Sequence, residues 1–314
     1  MLQNILFILL GLVGLYVGGT LFVSGSASLA RRIGMSPLIV GLTVVAIGTS
    51  LPELIVSVGA ALSGQSEIAL GNVLGSNIAN VGLILGVSGL ILPLAVQASL
   101  LRREIPLMIA ISVLTLLLAL DGQIGGVDGG LLVAGMVGFL VWTVTAALRT
   151  PSGEATDADE RANENTSLTR SALSLVAGLG LLLVAARLTV DGATGVARAF
   201  GVSELVIGMT LVAVGTSLPE LVTSVTAALQ KQSDIAVGNV VGSNIFNLLG
   251  ILGGTALLSP VPVAPNVIRV DIPVVIGFSA LLLSLLLDRK LSKWEAVLFL
   301  VLYIGYTSFL FLAR

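Results

Sequence analysis

Long apolar stretches separated by short polar ones make up nearly the whole chain. A helix needs roughly 20 apolar residues to cross a bilayer core, and such a stretch recurs ten times, over residues 2–29, 37–62, 66–93, 104–120, 127–148, 169–190, 203–229, 234–258, 272–287 and 294–312. The pattern predicts an all-α polytopic membrane protein with ten transmembrane helices. One sustained polar segment, Arg149 to Arg170, falls between the fifth and sixth stretches. Its Pro151, Gly153, Glu154, Asp157, Asp159, Glu160 and Glu164 mark a solvated linker. The expected organisation is a five-helix unit over residues 1–150, a polar cytoplasmic linker over 151–168 and a second five-helix unit over 169–314. No basic region precedes Leu2 to Leu29 and no small-residue cleavage site follows it, so this stretch is expected to remain as a span.

The two units repeat one another at an offset of 167 residues without a gap. Residues 41–86 read GLTVVAIGTSLPELIVSVGAALSGQSEIALGNVLGSNIANVGLILG, and residues 208–253 read GMTLVAVGTSLPELVTSVTAALQKQSDIAVGNVVGSNIFNLLGILG; about two thirds of the positions are identical. An odd number of spans per unit forces the second copy into the bilayer in the opposite orientation, an architecture of secondary transporters. Ten spans also put both termini on one face. With the termini outside, the inner segments hold eleven of the fifteen Lys and Arg residues and the outer ones hold Arg187, Arg198, Arg269 and Arg314. That is the positive-inside bias, so both termini are expected to be extracellular or periplasmic in a cell-membrane protein.

Composition narrows the chemistry. Of 314 residues 56% are hydrophobic and 10% charged, far below the charge content of a soluble domain, about 25%. A net charge of −2 supplies no basic field for nucleic acid. The absence of Cys and His removes disulfides, thiol nucleophiles, imidazole bases and zinc sites built from them. Polar chemistry falls to oxygen.

Each repeat carries GTSLPE, which sets Glu53 and Glu220 deep in apolar segments that contain no Lys or Arg. An ionisable group at the centre of a bilayer costs about 2.5–3.5 kcal/mol on insertion scales. A bound cation is the simplest compensation; a protonated carboxyl or an ion pair is the alternative. Pro52 and Pro219 lack an N–H and clash with the carbonyl four residues back, which points to free carbonyls at Gly48 and Gly215 and their neighbours Ala46 and Ala213. Helical spacing aligns Ala46, Thr49, Ser50, Glu53 and Ser57 on one face, and Ala213, Thr216, Ser217, Glu220 and Ser224 on its copy. Membrane hydroxyls commonly serve packing, but here they stand one turn from a buried acid.

The second shared motif, GNVxGSNIxN, adds a polar stripe of Asn72, Ser76 and Asn80, repeated as Asn239, Ser243 and Asn247. Ser76, Asn80, Ser243 and Asn247 are assigned as ligands, and Asn72, Asn77, Asn239 and Asn244 as structural; close packing of small residues with Asn bridging helices is the alternative for the whole stripe. Calcium accepts about six to eight oxygens of variable geometry, whereas magnesium dehydrates reluctantly and softer metals prefer nitrogen or sulfur. Calcium and sodium suit this set, and two carboxylates balance one divalent ion, so the two species are expected to compete for one pocket. Glu104 with Pro106, and Asp271 with Pro273, are assigned to helix starts with no part in the ion path. Trp142, Trp294, Tyr303 and Tyr306 suit interfacial anchoring or packing.

The doubled GTSLPE and GSNIxN motifs resemble those of the cation/calcium antiporter superfamily, most closely its prokaryotic sodium/calcium exchangers, and the similarity covers essentially the whole chain. The resemblance implies a ten-helix fold in which spans 2, 3, 7 and 8 form a compact core and the long first and sixth spans slide against it. It implies that Glu53 and Glu220 are the main calcium ligands and also face sodium, and that Thr49, Thr216, Ser50, Ser217, Ser76 and Ser243 form sodium sites with the Ala46 and Ala213 carbonyls. Asn80 and Asn247 match the last core-motif position, where some members, notably the potassium-dependent branch, carry Asp in one repeat. Asn in both copies speaks against potassium cotransport. The family pattern implies three sodium ions against one calcium, one net charge worth about 2.3 kcal/mol per 100 mV. The calcium-sensing loop of eukaryotic relatives has no room in this linker.

The expected activity is therefore sodium/calcium antiport by alternating access, with calcium, sodium and the lipid bilayer as partners and with neither a cofactor nor an obligate protein partner. A proton/calcium antiporter is the nearest alternative. A cation channel and an intramembrane enzyme follow, the latter opposed by Lys residues confined to span ends and by the absence of His.

Overall fold

The computed structural model describes residues 1–149, 167–201 and 213–313. Most of the expected linker and the first part of the expected span 203–229 lie outside the described residues. Among them the helices are α1 (Leu2–Arg32), α2 (Pro37–Thr49), α3 (Leu51–Leu62), α4 (Ser66–Ile91), α5 (Leu100–Asp121), α6 (Gly126–Ala147), α7 (Leu168–Ala199), α8 (Ala213–Thr216), α9 (Leu218–Leu229), α10 (Ser233–Leu258), α11 (Val267–Asp288) and α12 (Lys293–Ala313). Eight of these are each long and apolar enough to cross a membrane, and α2 with α3 makes a ninth, bent by 46°. The chain is a polytopic helical membrane protein.

Local sequence explains the breaks. Ser36 caps α2 by accepting the Ile39 N–H, and Pro37 occupies the first turn, where an N–H has no partner to lose. Ser50 then leaves helical geometry (φ −81°, ψ 9°), which puts Pro52 into the first turn of α3 and not into a helix interior. Ser217 does the same before α9. In α5 and α11 the prolines act differently from expectation. The helices begin at Leu100 and Val267, and the turns Leu100–Glu104 and Val267–Asp271 widen to π geometry ahead of Pro106 and Pro273, which have no N–H to donate. Glu104 and Asp271 thus sit a full turn inside their helices, not at the starts.

Helices α1 and α7 pack antiparallel along their length. A Cβ on Gly25 would stand 2.6 Å from the Leu175 backbone nitrogen, one on Gly18 2.8 Å from that of Leu182, and one on Gly192 2.6 Å from the Asn4 carbonyl. Small residues let the two backbones touch, and van der Waals contact holds them where lipid removes any hydrophobic drive. The centre belongs to α4 and α10, whose most apolar windows are 72% and 89% buried, against 33% for α1 and 28% for α7.

Among the described residues the architecture departs from purely helical at four two-residue strands. β1 (Leu94–Ala95) pairs antiparallel with β4 (Lys290–Leu291), and β2 (Gln123–Ile124) with β3 (Val261–Pro262). Each pair ties a connection of one half to a connection of the other.

Candidate ion-binding site

The breaks at Ser50 and Ser217 bring the two GTSLPE motifs face to face. Ser50 Oγ donates to Glu220 Oε1 at 2.9 Å, and Ser217 Oγ donates to Glu53 Oε1 at 3.1 Å. The relation is reciprocal: each half supplies the hydroxyl that the acid of the other half accepts. Both carboxyls are 1% exposed and close enough to interact electrostatically. Among the described residues no Lys or Arg pairs with either; Arg187 pairs with Asp191, on the surface of α7. Ser76 stands beside the Glu53 carboxyl and Thr49 beside that of Glu220.

Helices α4 and α10 hold the broken segments in place. Asn72 Nδ2 donates to the Glu53 main-chain carbonyl at 3.2 Å and to Ser57 Oγ at 3.0 Å; Asn239 Nδ2 donates to the Glu220 carbonyl at 3.4 Å and to Ser224 Oγ at 3.0 Å. Thr49 Oγ1 reaches Asn239 Oδ1 at 3.0 Å. Ser57 and Ser224 are therefore spent on anchoring the helices.

A second reciprocal network fixes the asparagines. Asn77 Nδ2 donates to the Asn244 carbonyl at 3.3 Å, and Asn244 Nδ2 to the Asn77 carbonyl at 3.2 Å. A carbonyl only accepts, so both amide groups are fixed, and their Oδ1 atoms must receive the Nδ2 of Asn247 and Asn80, each at 2.9 Å. The Oδ1 atoms of Asn80 and Asn247 then face away from the network. Four buried oxygens are left without a hydrogen-bond partner around this constellation: Glu53 Oε2, Glu220 Oε2, Asn80 Oδ1 and Asn247 Oδ1. Buried polar atoms are normally satisfied, and a symmetric set of unsatisfied acceptors with no donor facing it suits a hard cation. Asn80 and Asn247 also open π turns, Asn80–Leu85 and Asn247–Leu252, a geometry frequent at functional sites.

In the first half the carbonyls expected to be free are engaged. Ala46 O accepts the Ser50 N–H at 3.1 Å and the Ser243 hydroxyl at 3.4 Å, and Gly48 O also takes a backbone N–H at this helix end. The break falls at Ser50, and the helix closes its last turn before Pro52 can disturb it. In the second half Ala213 is the first described residue of α8 and Thr216 is half-buried on it; Gly208 to Leu211 lie outside the described residues.

A cavity of about 470 Å³ runs from exposed Glu67, Ala264 and Asn266 down to Ser76 and Ser217. Asp271 and Tyr306 line it, although the Asp-x-Pro pattern places Asp271 at a helix start and outside any ion path. Only the three-dimensional packing of α11 against α4 brings it there.

A sequence model described as sodium/calcium exchanger protein matches residues 3–145 and again residues 170–312. The chain belongs to the sodium/calcium exchanger family. The two matches are 167 residues apart, the offset of the internal repeat. CaxA of Alkalimonas amylolytica is 39% identical over 317 residues, covering 99% of each chain. The sodium/calcium exchanger MaX1 of Methanosarcina acetivorans is 40% identical over 139 residues, 44% of this chain and 40% of MaX1. A solved structure of the sodium-calcium exchanger NCX_Mj, soaked with sodium and without calcium, superposes with a TM-score of 0.87 at 37% identity over 98% of both chains. This exchanger family transports sodium and calcium ions, and its members are transporters and not enzymes.

Proposed function

We propose that the chain is a secondary antiporter that exchanges sodium for calcium by alternating access around Glu53 and Glu220. The observation that carries this reading is the pair of buried carboxyls, each held by a serine of the other half, with four unpartnered oxygens and no described cationic side chain to neutralise them. Calcium would be held by both carboxylates. Sodium would use the hydroxyls of Thr49, Thr216, Ser50, Ser217, Ser76 and Ser243 with the Ala213 carbonyl and with the Ala46 carbonyl, which would exchange the long hydrogen bond from Ser243 for the ion, and Asn80 and Asn247 would complete the oxygen shell. Shared ligands make occupancy by one ion species exclude the other, and that exclusion couples the two fluxes.

The ten-span, inverted organisation has physical support. Strand β2 pairs with β3, and α6, α7 and α10 lie between them. Connections on one face are separated by an even number of crossings, so the segment leading through α9 supplies the fourth. The equivalent helices α1 and α7 run antiparallel, which is the relation expected of halves inverted across a bilayer. The basic residues favour termini on the outer face of the cell membrane.

The test is calcium uptake into reconstituted vesicles under an outward sodium gradient. Coupled uptake that disappears when the sodium gradient is collapsed is the expected result. Uptake driven by a pH gradient and indifferent to sodium would move the assignment to a proton/calcium antiporter, and uncoupled, non-saturating flux would make it a channel.

A further inference from the structure

Two more acids occupy equivalent places in the halves, outside the central pair of carboxyls. Glu104 and Asp271 are 167 residues apart, each closes a π turn two residues before a proline, and they are 8% and 5% exposed. Helix initiation does not require them, because both helices begin four residues earlier. Asp271 lines the cavity that ends at Ser76 and Ser217, and Tyr306 donates its hydroxyl to Asp271 Oδ1 at 2.8 Å, which orients the carboxyl on the cavity wall. In the other half the position of Tyr306 is filled by Phe139, which has no hydroxyl, and Glu104 Oε2 is buried without a hydrogen-bond partner.

The same offset maps the open passage onto a shut one. Glu67 and Ala264 at the cavity rim correspond to Asp234 and Gln97. There, Gln97 Nε2 donates to Asp234 Oδ2 at 2.7 Å, and a Cβ on Gly238 would stand 2.9 Å from the Leu38 carbonyl, so α2 lies directly against α10. Glu104 stands to that closed passage as Asp271 stands to the open one.

We propose that Asp271 and Glu104 are entry subsites for the transported cations, Asp271 on the cavity face and Glu104 on the opposite face, each occupied as its own passage opens. The inference rests on the antiport reading and deepens it. A carboxylate in a low-dielectric passage raises the local cation concentration and speeds capture. It acts on entry and exit at one face alike and leaves the equilibrium affinity of the central pair unchanged.

The chain contains no Cys, so a single cysteine at Ala264 labelled by an impermeant maleimide identifies the cavity face in oriented vesicles. Calcium is then presented to each face in turn. Asp271→Asn is expected to raise the apparent KM for calcium several-fold at the cavity face and to leave the opposite face unchanged; Glu104→Gln is expected to do the reverse. Asp271→Glu should restore the cavity-face value, since Glu is the residue of the equivalent position. Equal shifts at both faces, as loss of packing would give, or no shift at either face, overturn the proposal. Lack of coupled flux in the unaltered protein would instead remove the antiport reading beneath it, and the wild-type arm separates the two failures.

Discussion

Ser50 donates its hydroxyl to the carboxyl of Glu220, a residue 170 positions away in the other half of the chain. Its copy, Ser217 to Glu53, closes the same contact from the opposite side. Neither half can therefore build the site alone. Each acid is held by a broken helix of its own half and oriented by the broken helix of the other, so a relative movement of the halves alters both carboxyls together.

Glu53→Gln and Glu220→Gln keep the side-chain volume and remove one of two negative charges. A site with one carboxylate no longer balances a divalent ion, so each variant is expected to reduce sodium-dependent calcium uptake to background. Breaking up two buried like charges relieves repulsion, so thermal unfolding in detergent should not move downward. A variant that loses transport only because its unfolding temperature has dropped would contradict this account.

Ser50→Ala and Ser217→Ala each delete a hydrogen bond to a charged group, worth about 1.5–3 kcal/mol. At about 1.4 kcal/mol per tenfold, the sodium concentration for half-maximal calcium efflux should rise about tenfold or more in each. Because the contacts are equivalent by the pseudo-twofold, the two variants should resemble each other more closely than either resembles Ser57→Ala, whose hydroxyl serves Asn72.

Asn77→Leu removes the acceptor that fixes the Asn247 amide, and Asn244→Leu does the same for Asn80. Losing an orienting partner behind a metal ligand typically costs about 10–100-fold in affinity. Equilibrium calcium binding to the purified protein should weaken within that range for both, with helix content unchanged by circular dichroism.

Gly25→Val forces a Cβ to within 2.6 Å of the Leu175 nitrogen. Overpacking costs about 1–3 kcal/mol, and here it must part α1 from α7 without touching a residue of the carboxyl pair. The expected outcome is a lower exchange rate with equilibrium calcium affinity preserved. Gly180→Val, where an added Cβ meets nothing within 4 Å, is the matched control and should exchange normally.

Much of this was legible in the residues. The apolar stretches, the repeat and the depth of Glu53 and Glu220 follow from hydropathy and self-similarity, which are properties of the chain read in order. What sequence could not reveal lies between segments. Spacing along a helix aligned Ser50 with Glu53, yet the hydroxyl serves Glu220. The GSNIxN stripe suggested ligands and glue in general, but only the reciprocal amide network distinguishes Asn80 and Asn247, with Oδ1 unpartnered, from Asn77 and Asn244, which orient them. Pro52 pointed to free carbonyls, whereas the chain turned at Ser50 and kept Ala46 and Gly48 engaged. Asp271 resembled a helix-start acid because Asp followed by Pro has that form; the widened turn that carries it inward leaves no mark in the sequence.

The central claim is that sodium and calcium contend for one pair of carboxylates. It is tested most directly by calcium uptake into vesicles reconstituted with the purified chain, with sodium inside and the outer sodium concentration varied. The account predicts uptake that depends on the outward sodium gradient, is inhibited competitively by outer sodium, and is absent in Glu53→Gln. Uptake of equal rate with and without sodium, or retained in Glu53→Gln, would contradict it.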